Sequence, residues 1–445
     1  MKRLLWVSTL VLLLVFSNTA VFAVEPIGID PEEPVSVTPS EDMKEEVEAK
    51  SVVLNQDGHE LLVTYDISVP EGIKLNLQYT DYDVQKHYVV VFGSALNIRS
   101  GPSLDYEIVR KAYYGEKLNL VETVRGGAVP NFDGDQWHKV YYFHEGEQQF
   151  GYVFGDIVRQ REFRLDAMAE KIKSLKVAVD NTKTAFIYNV VDANGRAPMY
   201  KGNLSVDNHG IKRYQSAPAY VEPNRSSDFR YMQDGLMVTI LDEVGGYYKV
   251  NAYDYEGIYY VPKRYVTQRN SINTLNQVVS VDITNQNVAA FDYVDGEWNL
   301  ISISYATTGA DNEFAEPTIS GSYQVIQKVD FFRYRDDYTK EISGYAPYGI
   351  RFNGGAFIHG VPVNYKLVRK NFLVSDAVYD ENGEVVQEAV YESRIVDRID
   401  PGHIEYSASL GTVPLSHKCV RNITSHAKFL WDWLRLGESS VVIID

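Results

Sequence analysis

The sequence predicts a mainly β protein: small duplicated barrels followed by a larger β-rich unit with one main helix. Three observations predict it. Short runs of alternating apolar and polar residues, broken by Gly, Pro and Asn, recur from Ser51 onward. Aromatic residues make up 13% of the chain and tyrosine alone contributes 33, a composition that favours strands and half-wet surfaces. Two stretches of similar pattern follow one another, and an internal repeat of this kind argues for duplicated small barrels.

The first element is a targeting segment. "MKRLLWVSTLVLLLVFSNTAVFA" has a basic start at Lys2 and Arg3, an apolar run from Leu4 to Phe16 and a small-residue cleavage site at Val21-Phe22-Ala23. Residues 1–23 read as a secretory signal peptide. The other reading is a retained anchor, for which the run is short against a span of ~20 residues. The expected location is therefore outside the cytoplasm, at the cell wall or cell surface, or secreted. Residues 24–50 are rich in Pro and Glu and read as a disordered acidic linker.

Residues 51–86 hold strand-like alternations such as "ELLVTYDISV" that belong to no evident domain. Residues 87–160 hold "SALNIRSGPSLDYEIV", "GEKLNLVETV", "WHKVYY" and "FGYVFGDIV". Residues 184–268 repeat the pattern with "APAYVEPNRSSDFRYM", "GLMVTILDEV", "YYKVNAY" and "EGIYYVPKRYV". Gly115 matches Gly235, Lys139-Val140 matches Lys249-Val250, and Gly151 matches Gly257. Between the copies, residues 161–183 form a helical linker in which Leu165, Met168, Ile172 and Leu175 recur at helical spacing.

Residues 278–445 form the last unit. Two alternating runs flank a turn at Asp295-Gly296, and a second excursion alternates around Asn382-Gly383, a type I′ signal. We read that excursion as a lid or cleft wall. "TSHAKFLWDWLRLGE" is the strong helix, with Thr424 or Ser425 as cap, an apolar stripe of Ala427, Leu430, Trp431 and Leu434, and Gly437 past its end.

The formal charge of −17 and the lack of any basic patch with interleaved aromatics argue against nucleic-acid binding. No Gly-rich phosphate loop follows a strand, and no His, Asp or Glu cluster has metal-ligand spacing, so neither metal nor cofactor is expected. The single cysteine, Cys419, cannot form an internal disulfide. It is either a packed small hydrophobe or a reactive thiol. Arg421, Lys418 and the following helix N-terminus would lower a thiol pKa. Backbone N–H groups at Lys418 and Cys419 offer an oxyanion hole. A base must come from His359, His403, His417 or His426. His417 faces away in an extended segment, and His426 falls within the helix at its surface or cap. His359, at a strand end before Gly360, and His403, after a turn, remain as rivals.

Two resemblances follow from these residues. "LNIRSGPSLDYEIV" and "GYVFGDIV" make 87–160 similar to the bacterial SH3-like domain, and 184–268 resembles a diverged copy. The resemblance implies association with the cell wall. Ile358-His359-Gly360, then Ser416-His417-Lys418-Cys419-Val420-Arg421, with "EPTISGSYQVI" upstream, make 278–445 resemble an L,D-transpeptidase catalytic domain of the YkuD type. That resemblance implies a cysteine acyltransferase acting on peptidoglycan stem peptides. Cys419 would attack the bond between the third (L) and fourth (D) residues and D-Ala would leave. A stem amine would then resolve the thioester to a 3-3 cross-link. His359 would be the base, oriented by a carbonyl near Gly360. Ser416 and His417 would shape the loop, and Arg421 would hold a substrate carboxylate. Hydrolysis by water would give a carboxypeptidase, and a degenerate domain would leave a wall-binding protein.

Two departures stand out. Lys418 occupies the family's usual glycine, which costs roughly 1 kcal/mol if φ is positive. The gap from His359 to Cys419 is longer than usual because of the 382–383 excursion.

Overall fold

Alternating sequences become strands, and the computed structural model describes them over residues 52–335, 342–399 and 410–445. The expected signal peptide (1–23), the acidic linker (24–50) and His403 lie outside the described residues. The architecture is mainly β, with two α-helices among the described residues.

The amino-terminal part supplies β1 (Leu61–Thr64), β2 (Ile73–Leu75), β3 (His87–Val91), β4 (Ala95–Arg99), β5 (Ile108–Tyr113), β6 (Lys117–Arg125), β7 (Gln136–His144), β8 (Glu147–Phe154) and β9 (Val158–Glu162). These pair in the order β5-β4-β8-β7-β6-β3-β9, with β1 added on β6. After α1 (Leu165–Asp180) come β10 (Thr184–Ile187), β11 (Ser216–Tyr220), β12 (Phe229–Gln233), β13 (Met237–Val244), β14 (Tyr247–Ala252), β15 (Tyr259–Pro262) and β16 (Val266–Thr267). Their order is β12-β11-β15-β14-β13-β10-β16, the first sheet's path shifted by seven strands.

The repeat extends to detail. A bulge interrupts β6–β7 between Leu120 and Glu122, and a bulge interrupts β13–β14 between Ile240 and Asp242. Gly115 and Gly235 both turn the chain with φ of 85°, a value glycine adopts without strain. One sequence match is displaced: Gly151 lies opposite Val140, but it is Tyr259, not Gly257, that lies opposite Val250.

The last unit contains β17 (Gln277–Asp282), β18 (Asn287–Val294), β19 (Glu297–Thr307), β20 (Gly321–Gln324), β21 (Gln327–Arg335), β22 (Ile342–Asn353), β23 (Ala356–His359), β24 (Val363–Ser375), β25 (Val378–Tyr379), β26 (Val385–Gln387), β27 (Val390–Ile399), β28 (Val420–Asn422), α2 (Thr424–Trp433) and β29 (Ser439–Ile444). The sheet runs β20-β29-β17-β18-β19-β28-β23-β22-β24-β27, with β21 on β22 and β2 on β19. The 51–86 segment thus joins two sheets, β1 to the first and β2 to the third.

Asp295 and Gly296, both at positive φ, make the two-residue turn between β18 and β19. Asn382-Gly383 differs from its expectation. Only Gly383 has positive φ, the Gly383 N–H donates to Asp380 O, and the Asp380 carboxylate accepts the Asn382 and Glu384 N–H groups. This is a three-residue loop closed on an aspartate, not a type I′ turn. The ribbon behind it, β24 with β27, is exposed from Lys370 to Arg394 apart from Ala377 and Ala389.

Two cores hold the sheets together. Leu165, Met168, Ile172 and Leu175 of α1 pack with Tyr88 of the first sheet and Phe291 and Leu300 of the third. Ala217, Met232 and Leu236 of the second sheet pack with Val279, Ile358, Val420 and Leu430 of the third. Helix α2 begins at Thr424, and its N-cap, Ile423, makes no side-chain cap. The hydroxyls expected to cap it have other partners: Thr424 Oγ1 accepts the Val361 N–H, and Ser425 Oγ shares a hydrogen bond with Tyr79.

Candidate active site

The site is built on two neighbouring parallel strands. In β23 and β28, Ile358 lies opposite Val420 and His359 opposite Arg421. Side chains alternate across a strand. Ala356, Ile358 and Val420 point into the buried core, so Phe357 and His359 share the opposite face with Cys419 and Arg421. Cys419 is the residue immediately before β28.

His359 is buried, 3% exposed. Its Nδ1 lies 2.5 Å from the Gly360 carbonyl oxygen. A carbonyl can only accept, so Nδ1 carries the proton and Nε2 keeps its lone pair. Burial pushes the imidazole pKa down to about 4, with the Arg421 charge adding to the shift. The ring is therefore neutral at neutral pH. Phe332 packs its edge on His359 at 5.0 Å between centroids and stacks on Phe357 at 4.5 Å, giving the face an apolar wall. Gly360 has no room for a side chain: a Cβ would sit 2.9 Å from both Pro347 Cγ and Thr424 Oγ1.

Cys419 is half-buried, and its Sγ faces the Gly355 carbonyl oxygen at 3.9 Å. Burial pushes the thiol pKa up. The Phe357 N–H and the Arg421 and Lys418 charges pull the other way without overcoming it. The neighbouring cations, expected to lower the thiol pKa, do pull it down, but desolvation outweighs them. Both shifts favour a neutral thiol beside a neutral imidazole.

The loop before Cys419 is held from several sides. Ser416 is buried; its Oγ donates to the Cys419 carbonyl, its N–H donates to Thr308 O at 3.0 Å, and its carbonyl accepts the Ala310 N–H at 2.9 Å. His417 is exposed. Lys418 has φ of 73°, the conformation for which glycine is usual. Its N–H donates to Glu316 O at 2.7 Å, its carbonyl accepts Thr318 Oγ1–H at 3.0 Å, and its Nζ pairs with Glu316 Oε2 at 2.8 Å. These contacts offset the left-handed strain. They also correct one expectation: the Lys418 N–H is committed to Glu316 and does not face an oxyanion site.

Arg421 is half-buried, and its Nε is buried with no hydrogen-bond partner among the described residues. His426 is not at the surface. It is fully buried, with Nδ1 3.3 Å from Asn422 Oδ1 and Nε2 3.1 Å from Ser302 Oγ; those partners come from β28 and β19, which the helix pattern did not reveal. Glu316 and Thr318 went unassigned, although both lie in "EPTISGSYQVI" and an acidic residue was the natural counter-ion for Lys418. Among the described residues no cluster of three or more His, Cys, Asp or Glu could hold a metal.

Comparison with known proteins bears on the parts separately. Residues 94–158 match the bacterial SH3 domain. No curated protein matches the chain. Similar solved structures include an L,D-transpeptidase from Mycobacterium smegmatis, at 12% identity and a TM-score of 0.26, covering 47% of this chain and 82% of that one. The avibactam carbamoyl form of Ldtfm gives 14% identity and a TM-score of 0.25, covering 62% of this chain and 99% of that one. A fused Zn-dependent amidase/peptidase/peptidoglycan-binding protein from Clostridium acetobutylicum gives 19% identity and a TM-score of 0.23. The match covers 39% of this chain and 53% of that protein, about half its length. Scores this low carry no residue roles, and the bacterial SH3 match ends at residue 158, well before Cys419.

Proposed function

We propose that this chain is an exported peptidoglycan L,D-transpeptidase whose SH3-like modules associate with the cell wall. The observation that carries the reading is the common face of His359 and Cys419, on paired strands, with the imidazole locked by Gly360 so that Nε2 is free to take a proton.

His359 Nε2 takes the thiol proton as Sγ bonds to the carbonyl carbon of the third stem residue. The bond to D-Ala then breaks, and the imidazolium returns its proton to the departing amine. A stem amine attacks the thioester, Nε2 accepts its proton, and the thiol is regenerated. With Lys418 N–H engaged, the Cys419 N–H is the remaining loop candidate for the oxyanion. Arg421, half-buried on the same face, is the residue we assign to a substrate carboxylate.

Water in place of the amine would make the protein a carboxypeptidase. A non-catalytic wall-binding role is disfavoured by the Glu316 and Thr318 bonds that support the loop at Lys418. Incubating the mature protein with a disaccharide-tetrapeptide and recording intact mass tests the reading. The expected result is loss of D-Ala with an acyl adduct on Cys419, absent in Cys419→Ala. D-Ala release that persists in Cys419→Ala would refute it.

A further inference from the structure

Asp234 belongs to the second SH3-like sheet, in the turn between β12 and β13, yet its side chain is fully buried against the last unit. Oδ1 accepts the Asn189 N–H at 2.6 Å. Oδ2 accepts the Gly354 N–H at 3.0 Å and pairs with the guanidinium of Arg351, itself only 6% exposed. Arg351 Nε donates to the Gly354 carbonyl at 2.6 Å. The pair therefore holds Gly354 by both of its backbone groups.

Gly354 is in the turn that joins β22 to β23. The next residue, Gly355, presents the carbonyl that Cys419 Sγ faces. The two units also meet backbone to backbone beside the pair: a Cβ at Gly235 would lie 1.8 Å from the Phe352 carbonyl oxygen. A buried charge pair is by itself weak evidence for a stabilising role, and this one is placed so that it holds the turn beside Cys419.

We propose that Asp234 and Arg351 are positioning residues for Cys419: the second SH3-like module fixes the Gly354-Gly355 turn, and the turn sets the orientation and reactivity of the thiol. The module is then part of the active centre as well as a wall-association element. The catalytic readout of this inference rests on the transpeptidase reading; its thiol readout does not.

The test uses the full mature chain and three variants. Asp234→Asn removes the carboxylate charge. Arg351→Lys keeps the charge but cannot donate to both Asp234 and Gly354 in the same way. Asp282→Asn is the control: Asp282 is equally buried and paired with Arg164, but β17 is separated from β22 by four strands. Iodoacetamide alkylation of Cys419 is followed against pH, alongside kcat and KM for D-Ala release and the melting temperature. The first two variants should shift the alkylation profile and lower kcat by about 10- to 100-fold with KM little changed. Asp282→Asn should lose thermal stability and keep the wild-type alkylation profile.

An unchanged alkylation profile in a folded Asp234→Asn or Arg351→Lys overturns the proposal, as does an equal shift in Asp282→Asn. If neither variant folds, hydrogen exchange on the wild type decides. Coupling is reciprocal, so alkylating Cys419 should alter exchange at the Gly354 amide, and no change there overturns the proposal. A shifted alkylation profile in a chain that releases no D-Ala sinks the transpeptidase reading and leaves this one standing.

Discussion

Lys418 donates to Glu316 twice, from its backbone N–H to the Glu316 carbonyl and from Nζ to the carboxylate. A second cation, Lys212 of the neighbouring module, pairs with the other carboxylate oxygen at 3.1 Å. Burial pushes the Glu316 pKa up, but the two ammonium groups outweigh it and hold the carboxyl below its usual value. A residue that looks like a defect in a glycine position is therefore one half of a brace.

The brace predicts unequal effects of its two halves. Lys418→Gly loses the Nζ bond but relieves left-handed strain, so its stability should stay within about 1 kcal/mol of wild type. Glu316→Gln leaves two cations facing a neutral side chain and should cost about 1–3 kcal/mol. Urea unfolding measures both. Lys418→Gly destabilised more than Glu316→Gln would contradict the brace.

The bases separate by mutation. His359→Ala should slow Cys419 acylation by about 10²- to 10⁴-fold, the usual worth of a general base, while His403→Ala keeps the wild-type rate. Single-turnover acylation followed by mass spectrometry distinguishes them. Loss of acylation in His403→Ala alone would transfer the role.

Thiol reactivity should lack an acid-side shoulder. The Cys419 pKa is raised from its ordinary 9.0 and the His359 pKa is depressed to about 4; both shifts work against a thiolate–imidazolium pair at rest. Alkylation of Cys419 should climb about tenfold per pH unit through neutrality, following the thiolate fraction. A plateau between pH 5 and pH 7 would reveal an ion pair instead.

Three buried imidazoles make the fold acid-sensitive. His138 and His359 are pushed down to about 4 and His426 to about 3 by burial, from an ordinary 6.5. Depressed values mean that the unfolded chain binds more protons below pH 6.5. Stability is then fully present above 6.5 and lost as pH falls toward 4, up to about 3 kcal/mol for each group. Melting temperatures across that window should show the fall, and His426→Gln should flatten it by roughly a third.

Gly360 is predicted to be intolerant. In Gly360→Ala the methyl meets Pro347 and Thr424 at 2.9 Å, a crowding that costs about 1–3 kcal/mol. It also shifts the carbonyl that orients His359. Thermal unfolding and acylation should both decline, and a fully active, fully stable variant would show that the turn adapts.

The strand alternations, the duplication and the helical stripe of α1 were legible because each is a local pattern. So was the grouping of Ser416, Lys418, Cys419 and Arg421, adjacent in the chain. Asp234 and Arg351 were not, since they are 117 residues apart and nothing near either names the other. His426 was misplaced for the same reason. Its helix position suggested a surface, but Tyr79, whose ring centroid lies 4.7 Å away, comes from the distant 51–86 segment and covers it. Asn382-Gly383 failed differently, since Asp380 offered a competing local hydrogen-bond pattern.

The core common to the second and third sheets has a consequence for anyone who would transplant these parts. Ala217, Met232 and Leu236 have their apolar neighbours in Val279, Ile358 and Val420, so cutting the chain near residue 270 would strand greasy surface on both fragments. The second barrel repeats the first in strand order, yet its shared core ties it to the last unit, so it should not survive being excised, swapped or fused elsewhere on its own.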